Sequence, residues 1–157
     1  METIGGVAHN VFTAAHLYLN SSPSAFLSNL TPKTRLISSV ALDLSGKWVL
    51  ESLKNRGIDT SGIEVCGTEK AATARYIALN DAKGGLFTAA ADMRIIEAIQ
   101  DRGHLSTEIK RAKPRWVCMD GNLSMEGIKM VVNYAKKVGA KGNFSFHFHL
   151  GDIETID

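Results

Sequence analysis

RLISSVALDLSGKWVLESLKNRG, residues 35–57, reads as one strand followed by one helix, and that unit decides the fold class. RLISSVAL is short, apolar and partly β-branched, the pattern of a buried strand. DLSG then breaks the run. Ser45 is the expected N-cap of the following helix, basic residues fill its last turn, and Gly57 suits a terminator. Working outward, residues 7–19 carry Ala8, Val11, Phe12, Ala15 and Leu19 at the spacing of one buried helix face, and the loop SSPSAFLSNLTPKT follows. Beyond the centre, a helix is expected at 93–101, a strand at RWVCMD (115–120) and a helix capped by Ser124 that runs to Lys137 and ends at Gly139. NFSFHFHL (143–150) alternates apolar and polar residues like a strand.

The middle of the chain has a different texture. IEVC (63–66), AATARYIALN (71–80) and GLFTAAA (85–91) are short strand-like runs separated by turn residues. Thr73, Arg75, Ile77 and Leu79 alternate with small residues and Tyr76, which suits a half-exposed antiparallel insert. Helices alternating with apolar strands imply a layered α/β fold built on a parallel sheet, with this insert projecting as a flap.

Composition narrows the function classes. The 157 residues suit one domain with its own core, and 45% hydrophobic with 22% charged content is ordinary for a globular chain. A net charge of +2, with the basic residues dispersed, does not argue for nucleic acid. No apolar run approaches a membrane span and no basic–apolar leader opens the chain, so a cytoplasmic protein is expected. Cys66 and Cys118 read as two buried free thiols rather than a disulfide framework. His147 and His149 share one side of their run, but two histidines without a third ligand do not define a metal site.

The residues best placed for chemistry are at a helix start. Gly5 and Gly6 precede the first helix, where unpaired N–H groups can meet a ligand and glycine lets it approach the main chain. Asn10 adds a donor and an acceptor suited to hydroxyl recognition. The same residues also suit a plain tight turn with a surface Asn. Asp92 and Asn122 end strand-like runs, where α/β proteins gather ligands, and both equally suit caps or turns. Asp43 and Gly46 read as shaping the turn into their helix. A dinucleotide-binding reading fails, because Gly5-Gly6 lacks the G-x-G-x-x-G spacing and a preceding strand.

GGVAHN (5–10) resembles the glycine–glycine…asparagine signature of the PfkB, or ribokinase-like, carbohydrate kinases. RLISSVALDLSG resembles that family's V-G-x-D-x-x-G strand end, matched at Val40, Asp43 and Gly46, with Ala41 in place of its glycine. KNRGIDTSGIEV (54–65) resembles the family's passage into the lid strands, and VCMDGNLS (117–124) its next core strand. Asp92-Met93 and the GGV-x-x-NV wording are most similar to the pseudouridine kinases, although His9 stands where those often have Arg.

The resemblance implies a partial ribokinase-like fold over residues 1–157, with lid strands at about 61–92 and an atypical tail at 142–157. It implies a sugar or nucleoside acceptor, with ATP and Mg²⁺ as the family's cofactors. Gly5, Gly6 and Asn10 would bind the acceptor, Thr73 and Arg75 would close over it from the lid, and Asp92 and Asn122 would lie at strand ends beside it. The family's catalytic Gly-Ala-Gly-Asp and ATP site find no match in the chain, and Gly151-Asp152 is a bare dipeptide. The expectation is therefore an incomplete domain, inactive as a kinase by itself and without a metal site. A non-catalytic binding or dimerisation module, pairing through the lid strands, is the alternative.

Overall fold

The computed structural model describes residues 3–21, 34–68, 70–99, 103–119 and 121–140. It is a mixed α/β chain with one parallel and one antiparallel strand pair, as the alternation of elements implies. Helix α1 spans Val7–Ser21. Its Phe12, with Ile4 just before it, packs on a core cluster of Leu36, Val40, Leu53, Ile58 and Ile63.

Strand β1 covers Ser38–Ala41 and helix α2 covers Leu44–Asn55. Asp43 caps α2, rather than Ser45: its backbone is extended and its carboxylate accepts from the Gly46 amide. The cap is the residue still extended just before the first helical turn, and here that is the Asp. Gly57 terminates the helix with φ of 72°, as expected.

IEVC forms β2, Ile63–Cys66, but not as part of the flap. It pairs parallel with β1, Ser38 opposite Ile63 and Ala41 opposite Cys66. The intervening α2 supplies the crossover a parallel pair needs. The flap is thus a two-stranded antiparallel ribbon of β3 (Arg75–Asn80) and β4 (Leu86–Asp92). Its turn is closed by Asp81, whose Oδ1 accepts from the Lys83 and Gly85 amides.

Helix α3 is short, Arg94–Glu97. A second helix, α4 at His104–Ala112, was not foreseen from the sequence. The next helix, α5 at Met125–Lys137, is capped by Ser124 and followed by Gly139 at φ 74°, as read. Residues 115–119, expected as a strand, have no ladder partner among the described residues. The strand alternation survives nonetheless. Met119 and Val117 turn into a second cluster with Ile99, Leu105, Ile109, Ile128 and Val131, while Trp116 and Cys118 face solvent. This exposure corrects the reading of Cys118 as buried; Cys66 is buried, and both thiols are free. NFSFHFHL, His147, His149 and Gly151-Asp152 lie outside the described residues. No helix of the described residues is long and apolar enough to cross a membrane.

Candidate functional site

Ligands of open α/β sheets gather at the carboxyl ends of the strands. Here the chain leaves β1 at Ala41, reaches Asp43 two residues later and starts α2. Asp43 gathers donors from two separate segments. Its Oδ1 accepts from the Gly46 amide at 2.7 Å and the Thr73 hydroxyl at 2.7 Å, and its Oδ2 accepts from the Thr73 amide at 2.9 Å. The Thr73 hydroxyl in turn accepts from the Ala41 amide at 3.0 Å. The Arg75 guanidinium lies 3.9 Å from Asp43 Oδ2. Burial opposes ionisation of this carboxyl, but the bonds from Thr73 and Gly46 and the Arg75 charge outweigh it and lower its pKa below 3.8.

Gly46 is required by this arrangement. A Cβ there would stand 2.1 Å from the Ala41 carbonyl oxygen and 2.9 Å from Thr73 Oγ1. The start of α2 is pressed directly onto the end of β1.

At the other side of the ribbon's root, Asp92 faces Arg75 in the strand register. Arg94 holds the Asp92 carboxylate with two guanidinium bonds, at 2.9 and 2.7 Å. Those charge-assisted bonds lower its pKa to about 2. Asp92 and Arg94 help line a cleft of about 400 Å³ against Cys66, Gly67, Thr68 and Lys70 at the end of β2.

The start of α1 forms a separate group. Gly6 has φ of 96°, a backbone conformation that favours glycine, and its carbonyl accepts from the Asn10 amide at 3.1 Å. Among the described residues, chain neighbours aside, no atom lies within 4 Å of where a Cβ at Gly5 or Gly6 would stand. Asn10 is exposed, and its Oδ1 lies 3.2 Å from His9 Nδ1. The other ring nitrogen of His9, Nε2, lies 3.3 Å from Thr13 Oγ1.

Of the seven residues singled out in the sequence, Thr73, Arg75 and Asp92 come together at the ribbon's root. Gly5, Gly6 and Asn10 stand at the start of α1, and Asn122 is exposed in the turn before α5. Thr73 is not on the exposed ribbon as its alternation implied: β3 begins at Arg75 and Thr73 is buried. Asp43, read as shaping the turn into its helix, does so by capping α2, and its further bonds to Thr73 join the sheet to the ribbon, which local sequence does not reveal. Val40, Asp43 and Gly46 carried the available signal, but the partner Thr73 lies 30 residues away.

No family model matches the chain. Among curated proteins it is similar to a pseudouridine-metabolizing bifunctional protein of Schizosaccharomyces pombe, 29% identical over 123 residues. Among solved structures it resembles a carbohydrate kinase from Agrobacterium tumefaciens, with 21% identity and a TM-score of 0.55 over 74% of the chain. It also resembles a ribokinase from Giardia lamblia, at 12% identity and a TM-score of 0.52 over 75% of the chain.

The fold is ribokinase-like.

The solved structures bear on the fold alone, and the similarity to the Schizosaccharomyces pombe protein points the same way as the resemblance of GGVAHN and the Val40–Gly46 passage. The sequence match covers 78% of this chain but 14% of the Schizosaccharomyces pombe protein, and the structural matches cover 38% and 36% of their counterparts. Within this fold β1 and β2 form the parallel pair joined through α2, and the β3–β4 ribbon is a separate antiparallel pair. The resemblance implied ATP and Mg²⁺. Among the described residues no three His, Cys, Asp or Glu side chains gather to hold a metal ion, so no ion is assigned to them.

Proposed function

We propose that this chain forms the acceptor-binding and lid portion of an ATP-dependent carbohydrate or nucleoside kinase, with pseudouridine as its acceptor. The observation that carries the reading is the start of α1. Two glycines with open space beside them, one at φ 96°, precede a helix whose first turn presents Asn10. Glycine main chain that a ligand can approach closely and a side-chain amide are suited to sugar hydroxyls, which both donate and accept. The likeness to the pseudouridine-metabolizing protein supports the choice of acceptor. In this reading Arg75 and Asp92 lie where the lid meets the core, and Asn122 is assigned to acceptor binding from the turn before α5.

Phosphoryl transfer needs a base for the acceptor hydroxyl and donors for the phosphoryl oxygens. The sequence contains no Gly-Ala-Gly-Asp stretch to supply them, so the proposal assigns binding and lid closure to this chain and no catalytic step. ATP and its Mg²⁺ are left to groups other than those described. Two free thiols, one of them exposed, fit a reducing, cytoplasmic setting.

Addition of pseudouridine to the isotopically labelled chain tests the reading. The proposal expects saturable shifts of the Gly5, Gly6 and Asn10 resonances, and no phosphorylated product when ATP and Mg²⁺ are added. Absence of saturable shifts would refute acceptor binding, and robust phosphorylation would refute the inactivity.

A second reading, pairing of two copies through the lid, is favoured by one feature. Tyr76, Ala78, Ala89 and Ala91 alternate onto one face of a ribbon whose residues are almost all exposed, and Phe87, 80% exposed, stands at its register shift. A lone two-stranded ribbon is marginal in water and gains from being covered. Light scattering after size exclusion decides it: a dimer that Phe87→Glu converts to monomer supports pairing, and a wild-type monomer rejects it.

A further inference from the structure

We infer that Thr73 is a positioning residue for the lid: its bonds to Asp43 and Ala41 clamp the root of the β3–β4 ribbon to the end of β1, while the Arg75–Asp43 ion pair is the contact that yields when the ribbon moves. The inference rests on reading the ribbon as a lid.

Three contacts join the ribbon's root to the Asp43 turn, and they are unequal. The two from Thr73 are a hydroxyl at 2.7 Å and an amide at 2.9 Å, both to an ionised carboxylate, and Thr73 is buried. Charge-assisted hydrogen bonds of this length are the strong class, and the buried Thr73 shields its donors although the Asp43 side chain is 27% exposed. The third, from Arg75, spans 3.9 Å to a guanidinium that is 56% exposed. Ion pairs of that kind contribute little, because solvent screens them and the long side chain gives up rotamer freedom.

The clamp is also closed from the core side. The Thr73 hydroxyl receives the Ala41 amide, the last residue of β1, so one side chain completes both the strand end and the Asp43 carboxylate. Gly46 seals the remaining gap, since any Cβ there would meet the Ala41 carbonyl and Thr73 Oγ1. Two residues later Arg75 starts β3, whose side chains are all exposed. The boundary between fixed and movable chain therefore falls at Ala74. Thr73 holds the ribbon's direction without offering a free polar group to a ligand, whereas Arg75 can exchange Asp43 for another oxygen-rich partner as the ribbon shuts.

Spin–spin distance measurement tests this in the full chain, with labels at Lys83→Cys on the ribbon's turn and Lys136→Cys on α5, in a Cys118→Ser background. The wild type is expected to give one narrow distance distribution. Thr73→Val should at least double its width, Thr73→Ser should restore it, and Arg75→Ala should leave it narrow. Should Thr73→Val fail to fold, Asp43→Asn serves: Asn still caps α2, but its NH₂ cannot accept from the Thr73 amide, so the same broadening is expected. A narrow distribution in Thr73→Val or Asp43→Asn, or broadening by Arg75→Ala as large as theirs, would overturn the inference. The readout needs no acceptor, so failure of pseudouridine to bind would remove the kinase reading and leave the clamp result intact.

Discussion

Arg75 and Asp92 stand opposite one another across the root of the β3–β4 ribbon, yet each is paired elsewhere, Arg75 with Asp43 and Asp92 with Arg94. The two ends of the ribbon are thus tied to different parts of the fold, one to the β1–α2 turn and the other to the first residue of α3. A carboxylate therefore stands at each end of the ribbon's root, paired closely with Arg94 at one end and loosely with Arg75 at the other.

The Asp92 end makes a direct prediction. Arg94 holds the Asp92 carboxyl at a pKa of about 2, and Arg94→Ala removes those bonds. The Asp92 side-chain resonance is expected to titrate near pH 2 in the wild type and to move up toward the ordinary 3.8 in the variant, short of it because the residue-94 amide still donates to Asp92. An unchanged midpoint would mean that the pair does not form in solution.

Asp43 predicts a dependence of stability on acid. Its pKa is lowered in the fold, so it contributes stability that is fully present above 3.8 and is lost as pH falls through the lower folded value. Urea midpoints of the wild type should therefore drop below pH 3.8, and Asp43→Asn should flatten that part of the profile. Parallel profiles for the two proteins would contradict the assignment.

Gly46→Ala places a methyl 2.1 Å from the Ala41 carbonyl oxygen, and the backbone of the α2 start must move to admit it. Overpacking of this kind costs about 1–3 kcal/mol, read as a lowered denaturant midpoint at unchanged slope. Gly5→Ala, with nothing within 4 Å, should leave the midpoint unchanged.

Glu108 in α4 is buried and accepts from Arg35 at 2.6 Å and Arg111 at 2.8 Å, which fastens the helix to the approach to β1. Glu108→Ala leaves Arg35 without its shortest partner, and one Arg35 nitrogen is already buried with no bond. Removing one member of a buried pair costs about 3 kcal/mol, and chemical denaturation should show a loss of that size.

Local pattern and long-range pairing differ in how well they can be read from sequence. The β1–α2 unit was legible because an apolar run, a break and an amphipathic helix follow one another within residues 35–57. Helix α4 was not, because Gly103 offers no capping side chain and Leu105 and Ile109 are its only buried apolar residues, with the charged Glu108 buried beside them. Residues 115–119 keep their alternation but have no ladder partner among the described residues, since pairing depends on a neighbour that sequence does not name. The same limit applied at the site. Gly5, Gly6 and Asn10 are a local motif and could be singled out directly. Thr73 was read as an exposed ribbon residue because nothing near it in sequence reveals a carboxylate 30 residues upstream.

Calorimetric titration of pseudouridine into the purified chain, beside Asn10→Ala and with uridine as the comparison nucleoside, tests the central claim most directly. The account predicts saturable binding of pseudouridine by the wild type, weakened at least tenfold in Asn10→Ala. Absence of saturable binding, or equal affinity in the variant, would contradict it.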